Sequence, residues 1–204
     1  MYLFVDPDRS GITAKQKIAS GVRIGHVNLR VADLDRAMNF YCNILGLSVV
    51  YYAPSMGLPT VFLAFGKCHH HIALTWFYSA GGSIRLNRNG LDHFALVYPD
   101  EASLARAVTR LLDHGDFIDD ARDHGGTLSV YLQDPDGNGI ELYYDRPRSE
   151  WFDSTGQLIV KSKPFDLMKW LGEVWAGPAQ PLTSGSEKAS MPLQTSDLAQ
   201  TAVR

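Results

Sequence analysis

Asp134-Pro135-Asp136-Gly137-Asn138-Gly139-Ile140-Glu141-Leu142-Tyr143-Tyr144 decides how the chain reads. Its first half has the Asp, Pro, Gly and Asn of a tight turn, residues that accept the backbone angles a reversal needs. Its second half is an apolar strand holding one carboxylate, Glu141, between Ile140 and Leu142. A carboxylate in such company is costly to bury unless a cation or hydrogen-bond donors compensate it. Two other apolar runs each carry one imidazole: Ile24-Gly25-His26-Val27-Asn28-Leu29 and Leu91-Asp92-His93-Phe94-Ala95-Leu96. Two imidazoles and one carboxylate make the donor set of a non-haem Fe(II) facial triad, which leaves positions open for substrate and O₂. The turn also matches a calcium loop at Asp134, Asp136 and Asn138. That reading fails because Pro135 interrupts it, Glu141 falls where such loops carry an apolar residue, and strands flank it.

Working outward, the chain reads as a repeat. The first copy runs as a strand (Val22–Val31), a helix (Asp33–Leu45) and strands at Leu47–Tyr52, Thr60–Phe65 and His70–Phe77. The helix has Leu34, Ala37, Met38, Tyr41, Ile44 and Leu45 on one face, Asp33 as its cap and Gly46 as its stop. The second copy repeats the order with a strand at Leu91–Tyr98, a helix at Glu101–His114 capped by Asp100, and strands near Phe117–Arg122, Leu128–Gln133 and Gly139–Tyr144. The copies give an α+β fold of two βαβββ modules, 21–80 and 81–150, joined through the Gly/Ser/Asn-rich stretch Ser79–Gly90. An N-terminal extension (1–20) precedes them. A C-terminal extension (151–175) with an amphipathic helix at Asp166–Trp175 follows, and 176–204 reads as a flexible tail too polar to offset its ordering entropy.

Composition narrows the class. The chain has 204 residues, 45% hydrophobic and 20% charged, with a net charge of −3. That is the make-up of a soluble globular protein. With no basic stripe, nucleic acid and anionic membranes are not expected partners. No signal-peptide core or membrane-length apolar run is found. The only cysteines, Cys42 and Cys68, cannot make a disulfide framework, so a reducing cytoplasm is the expected location. Cys68 lacks a second cysteine at zinc-ligand spacing.

The runs Gly25-His26-Val27, Asp35-Arg36-Ala37-Met38-Asn39-Phe40-Tyr41 and Leu45-Gly46-Leu47, with Asp134 to Leu142, resemble the vicinal-oxygen-chelate superfamily of glyoxalase I, bleomycin-resistance proteins and type I extradiol dioxygenases. The resemblance covers roughly residues 21–150. It implies a half-open mixed β-barrel with helices outside, and a metal held by His26, His93 and Glu141. It also implies a homodimer or higher homo-oligomer.

Within that family the resemblance is greatest to short extradiol (catechol 2,3-type) dioxygenases. Glu141 stands 48 residues beyond His93, and Ala73 stands 47 beyond His26. Glyoxalase I carries a fourth ligand, a Glu, at the place Ala73 occupies, so its absence argues for a three-ligand site. His69-His70-His71-Ile72-Ala73-Leu74 is similar to the stretch that carries the dioxygenase acid/base, which assigns His70 that role. On a strand, either His70 or the pair His69/His71 would enter the cavity. Tyr131, ten residues before Glu141, matches the family's active-site Tyr. His124 stands near its second pocket His, with a shorter gap. Trp76, Phe77 and Leu167 are candidate lining residues.

The implied activity is Fe(II)-dependent ring cleavage of a small aromatic diol with O₂, in the degradation of aromatic compounds, with Mn, Co, Ni or Zn as alternative metals. Two other readings of the fold are a metal-dependent glyoxalase-like isomerase, lyase or epimerase, and a metal-free small-molecule-binding protein of the resistance type.

Overall fold

The computed structural model describes residues 19–54, 57–77 and 90–177. Nearly all of the N-terminal extension, the linker Ser79–Gly90 except Gly90, and the tail from residue 178 lie outside the described residues.

Two βαβββ modules are present. The first comprises β1 (Val27–Val31), α1 (Leu34–Met38), β2 (Ser48–Ala53), β3 (Thr60–Ala64) and β4 (Ile72–Trp76). Its four strands lie in the order β1-β4-β3-β2. The second comprises β5 (His93–Tyr98), α2 (Glu101–His114), β6 (Asp120–Gly125), β7 (Thr127–Gln133) and β8 (Gly139–Asp145). A further strand, β9 (Val160–Pro164), extends its sheet to the order β5-β8-β7-β6-β9. Neither sheet closes on itself.

The helices follow their sequence signals, with one change. The Asp100 carboxylate accepts from the Ser103 amide at 2.6 Å and starts α2, and Gly115 ends it in the left-handed region at φ 91°. Leu104, Ala107, Val108 and Leu111 then face the core, all buried. The first helix begins as expected on Asp33, but after Met38 it widens into a π-helical stretch, Asn39–Ile44. There the Leu45 amide reaches back five residues to the Phe40 carbonyl. Both modules contribute to one continuous apolar core.

Several strand ends move, for a common reason: a strand ends where its partner does. Residues Val22–His26 are not in β1, because β4 begins at Ile72 and offers them no ladder. His70 likewise precedes β4, in the turn that closes with the His71 amide on the Leu63 carbonyl. β5 starts at His93 rather than Leu91, opposite Gly139. β6 runs three residues later than its sequence suggests, because Asp120 pairs with Tyr131, and Phe117 is left exposed. β9 was not foreseen. Its run Val160-Lys-Ser-Lys-Pro164 has no apolar alternation, and it is held by antiparallel pairing with β6.

The quoted turn fastens one module to the other. Asp134, 4% exposed, accepts from the Tyr41 hydroxyl at 2.8 Å, from the amides of Asp136 and Asn138, and from the Asn138 side chain. Asp136 accepts from the Ala32 amide at 3.0 Å and from Arg36 at 2.9 Å. Burial, and then the Asp134 charge, holds the Tyr41 phenol protonated far above its ordinary range. Arg110 of α2 completes the junction by donating to the Ile44 carbonyl at 2.9 Å.

Candidate metal centre

Strand alternation decides which face each side chain meets. On β8, Ile140 and Leu142 are fully buried in the core, which turns Glu141 and Tyr143 to the opposite, partly open face. On β7 the same rule buries Leu128, Val130 and Leu132 and turns Tyr131 to the face of Glu141. Tyr131 and Glu141 are direct cross-strand partners.

Four of the sequence-selected side chains form one line on this face. His93 Nε2 lies 3.2 Å from Glu141 Oε2. The Tyr131 hydroxyl donates to Glu141 Oε1 at 3.0 Å, and His124 Nε2 lies 2.9 Å from the Tyr131 oxygen. Burial, and then the negative charge of Glu141, pushes the Tyr131 phenol up to about 12. It therefore stays a donor throughout the neutral range. The other nitrogen of each imidazole is also engaged: His93 Nδ1 with Asp92 Oδ2 at 2.8 Å, and His124 Nδ1 with the Lys161 carbonyl at 3.0 Å. On His93, the Asp92 carboxylate at Nδ1 fixes the ring with Nε2 turned toward Glu141, the orientation a metal ligand needs.

A second group sits on the first module. His26 immediately precedes β1, and its ring lies 4.5 Å from that of His70. His70 also packs on Phe62 at 4.8 Å and is bonded to His69, with 2.6 Å between their Nδ1 atoms. His69 therefore joins His70 instead of facing the other way, because these residues lie in a turn and strand alternation does not govern them. His71 leaves the group and stacks on Phe65 at 3.8 Å. Restricted solvation, and then the charges of His69, His26 and His71, hold His70 below the ordinary histidine range. At neutral pH it is a free base.

The strand registers show that the two groups are equivalent. Ala73 pairs with Asn28 and Glu141 with Ala95, so His26 and His93 each stand two residues before the partner of the corresponding position. Phe62 pairs with Ala73 as Tyr131 pairs with Glu141. The second module thus holds an acid and a phenol where the first holds a methyl and a phenyl. Ala73 is wholly buried and offers no donor atom.

Two donors fit one cation. Atoms each about 2.1 Å from a metal and at right angles lie about 3.0 Å apart, close to the His93–Glu141 separation. The third donor is not with them. Among the described residues no three His, Cys, Asp or Glu side chains are grouped to hold a metal ion. One chain therefore presents two separate groups: His26 with His70, and His93 with Glu141, Tyr131 and His124.

Three other placements complete the site. Asp92, which orients His93, was not selected from the sequence, although its adjacency to a candidate ligand could have marked it. Trp76 and Phe77 are exposed, with Arg30 lying over the Phe77 ring at 4.7 Å. Leu167 belongs to α3 (Leu167–Ala176), which docks on α2 through a bond from Trp170 Nε1 to Glu101 at 2.7 Å.

Gly139 is required where β5 and β8 meet. A Cβ there would overlap the Asp92 carbonyl oxygen and lie 3.1 Å from His93 Cβ. Gly139→Ala is expected to cost about 1–3 kcal/mol through overpacking and to loosen metal retention with every ligand still present. Thermal melting together with metal content per chain checks both effects; unchanged values would contradict the close packing.

Two unclosed sheets of βαβββ origin, with acid and imidazole donors on the open face of the second, are the architecture of a paired-module chelate protein. The sequence agrees. Residues 23–142 match the Glyoxalase/Bleomycin resistance protein/Dioxygenase superfamily, and the chain belongs to that family. It is 35% identical over 159 residues to catechol-2,3-dioxygenase of Bacillus subtilis (strain 168), a match covering 76% of this chain and 53% of that protein. It is 34% identical to biphenyl-2,3-diol 1,2-dioxygenase 3 of Rhodococcus globerulus, covering 60% and 63% respectively. It is also 30% identical to a probable lactoylglutathione lyase of Synechocystis, covering 57% of this chain and 91% of that one. The chain thus spans only about half to two-thirds of the two dioxygenases. A solved glyoxylase/bleomycin resistance protein/dioxygenase domain from Frankia shares the fold at 23% identity and a TM-score of 0.53, covering 63% of this chain and 100% of that one. No described helix is long and apolar enough to cross a membrane.

Proposed function

We propose that the protein is an Fe(II)-dependent extradiol dioxygenase that opens the ring of a small aromatic diol with O₂. The observation that carries this reading is the difference between the two modules: Glu141 beside His93 and Tyr131, against the buried methyl of Ala73 beside His26. That asymmetry leaves one carboxylate and two imidazoles, a donor set with free positions. A second acid at Ala73 would have favoured a lyase-type site.

The metal would be held by His26, His93 and Glu141. Bound there, it would supply the Lewis acidity and electron transfer that a diol and O₂ require. The chain's residues do the rest. His70, kept neutral by its neighbours, accepts a proton from a substrate hydroxyl and returns it as the ring opens. Tyr131 turns its hydroxyl to a substrate oxygen, backed by His124, whose ring the Lys161 carbonyl fixes. The bond next to the two hydroxyls breaks, and both atoms of O₂ enter a 2-hydroxymuconic semialdehyde type of product.

Because one chain carries the donors as two half-sites, the centre is completed in a homodimer, with His26 and His70 of one copy facing His93 and Glu141 of the other. Large exposed apolar side chains on and just beyond the first sheet, among them Tyr51 of β2 and Phe65 after β3 at 61% and 48% exposure, support such an association.

Anaerobic loading with Fe(II), followed by aerobic mixing with a panel of catechols, tests the activity. Oxygen uptake and a yellow product are expected. Product without oxygen uptake would assign an isomerase or lyase, and no turnover with no bound metal would assign a binding protein. His70→Ala should keep its iron and lose about 10²–10⁴-fold in turnover, the usual contribution of a general base. If the iron leaves with the imidazole, His70 is a ligand and the acid/base assignment is wrong.

A further inference from the structure

His69 is exposed, yet its ring is engaged: its Nδ1 lies 2.6 Å from His70 Nδ1. On a strand the two rings would face opposite sides. The turn between β3 and β4 puts them together instead, and that turn is well fixed. The His71 amide donates to the Leu63 carbonyl at 2.8 Å, the His71 ring stacks on Phe65 at 3.8 Å, and the Cys68 thiol donates to the His70 carbonyl at 3.4 Å. The second module carries no such pair. Asn138 stands three residues before Glu141, as His70 stands three before Ala73, and Gly137 precedes it. The βαβββ fold therefore does not itself require an imidazole at either position.

The His70 ring is wedged between two others, with centroids 4.5 Å from His26 and 4.8 Å from Phe62. Among the described residues, His69 gives this ring its hydrogen bond, and His70 Nε2 makes none. Two neutral imidazoles carry one proton each, so one of the facing Nδ1 atoms donates and the other accepts. A base acting through the free Nε2 needs a lone pair there. Its own proton then sits on Nδ1, and His69 accepts it through a bare Nδ1. Once Nε2 has taken up a proton, the Nδ1–H still meets the same acceptor. A single arrangement thus suits both states of the base.

We infer that His69 is a positioning residue for His70: it fixes the ring and keeps its proton on Nδ1, which leaves Nε2 bare to take a proton from substrate. The role parallels that of Asp92 behind His93, with a neutral acceptor in place of a carboxylate. The inference rests on the ring-cleavage reading for what His70 Nε2 does; the tautomer itself is measured without any reaction.

Long-range proton–nitrogen NMR spectra of the metal-free full chain test the pair, with the His70 signals assigned by their loss in His70→Ala. Above neutral pH, His70 is expected to carry its proton on Nδ1 and to be bare on Nε2. In His69→Ala nothing holds the proton there, and it should shift toward Nε2. His69→Asn puts an amide oxygen, an acceptor, near the place of Nδ1 and should keep the native tautomer. His69 is exposed, so both variants should melt with the native chain. With iron bound, His69→Ala should lose about 10–100-fold in kcat, the range that follows loss of a group orienting a working imidazole. KM and iron content should stay unchanged, and His69→Asn should recover most of the loss. A native His70 protonated on Nε2, or either the tautomer or kcat unmoved in His69→Ala, overturns the role. The two readings fail separately: the expected tautomers without ring cleavage overturn the reaction alone, and cleavage with a tautomer indifferent to His69 overturns the positioning alone.

Discussion

Glu141→Ala is expected to lose at least about 100-fold in ring cleavage and to retain little iron, more than the roughly 10–100-fold that follows loss of an outer-shell partner. The reason is geometric. Glu141 is the carboxylate that meets His93 Nε2, and Ala73 offers no substitute on the first module. The folded state should survive, because Glu141 lies on the open face while Ile140 and Leu142 hold β8 in the core. Metal content, oxygen uptake and melting temperature, measured together, check the three statements. An Ala variant that keeps its iron would remove Glu141 from the centre.

The same variant examines the dimer. His26→Ala should be inactive for the same reason, since it removes the imidazole of the other half-site. Co-expressed in equal amounts, the two variants form mixed dimers in about half the population, each with one intact and one doubly damaged centre. About a quarter of native activity should return. No recovery at any ratio would place His26 and Glu141 of a single chain in the same centre.

Asp134→Ala carries the largest expected effect on stability. Its carboxylate is buried and takes four hydrogen bonds, one of them from Tyr41 across the module boundary. Removing it strands a buried phenol, a side-chain amide and two backbone amides, each at about 1–3 kcal/mol when left unpaired, so a loss of about 3 kcal/mol or more is expected. For a chain of this length that lowers the melting temperature by roughly 6–12 °C. Tyr41→Phe deletes only one of these bonds and should cost about 1–2 kcal/mol. Denaturant unfolding of the two variants decides the matter: if Asp134→Ala is no more harmful than Tyr41→Phe, the turn does not fasten the modules.

The division between what the chain encodes locally and what folding adds can be followed residue by residue. The helix at Glu101–His114 was legible to the residue, because Asp100 and Gly115 cap it by chemistry acting within one turn. The succession of elements within each module, and the equivalence of His26 with His93, were legible because a repeat displays twice what one copy would leave ambiguous. Strand ends were not. Val22–His26 is apolar enough to be a strand, yet it has no partner, and pairing is a property of two segments. β9 escaped for the converse reason: Lys161 and Lys163 give no periodicity, and only the free edge of β6 makes the segment a strand.

By itself, then, the sequence determined the modules, their caps, the tight turn before β8, and which residues are chemically able to hold a metal; that this turn binds the modules through Tyr41, Ala32 and Arg36 came from the fold. Only the tertiary structure decided how those residues are grouped: Glu141 with His93, Tyr131 and His124, and His26 with His70. It also added Asp92 behind His93 and His69 behind His70. The physical reason is range. Capping, turn formation and alternation act over a few residues and are written in local order, whereas a site is set by which strands lie side by side and which face each turns outward.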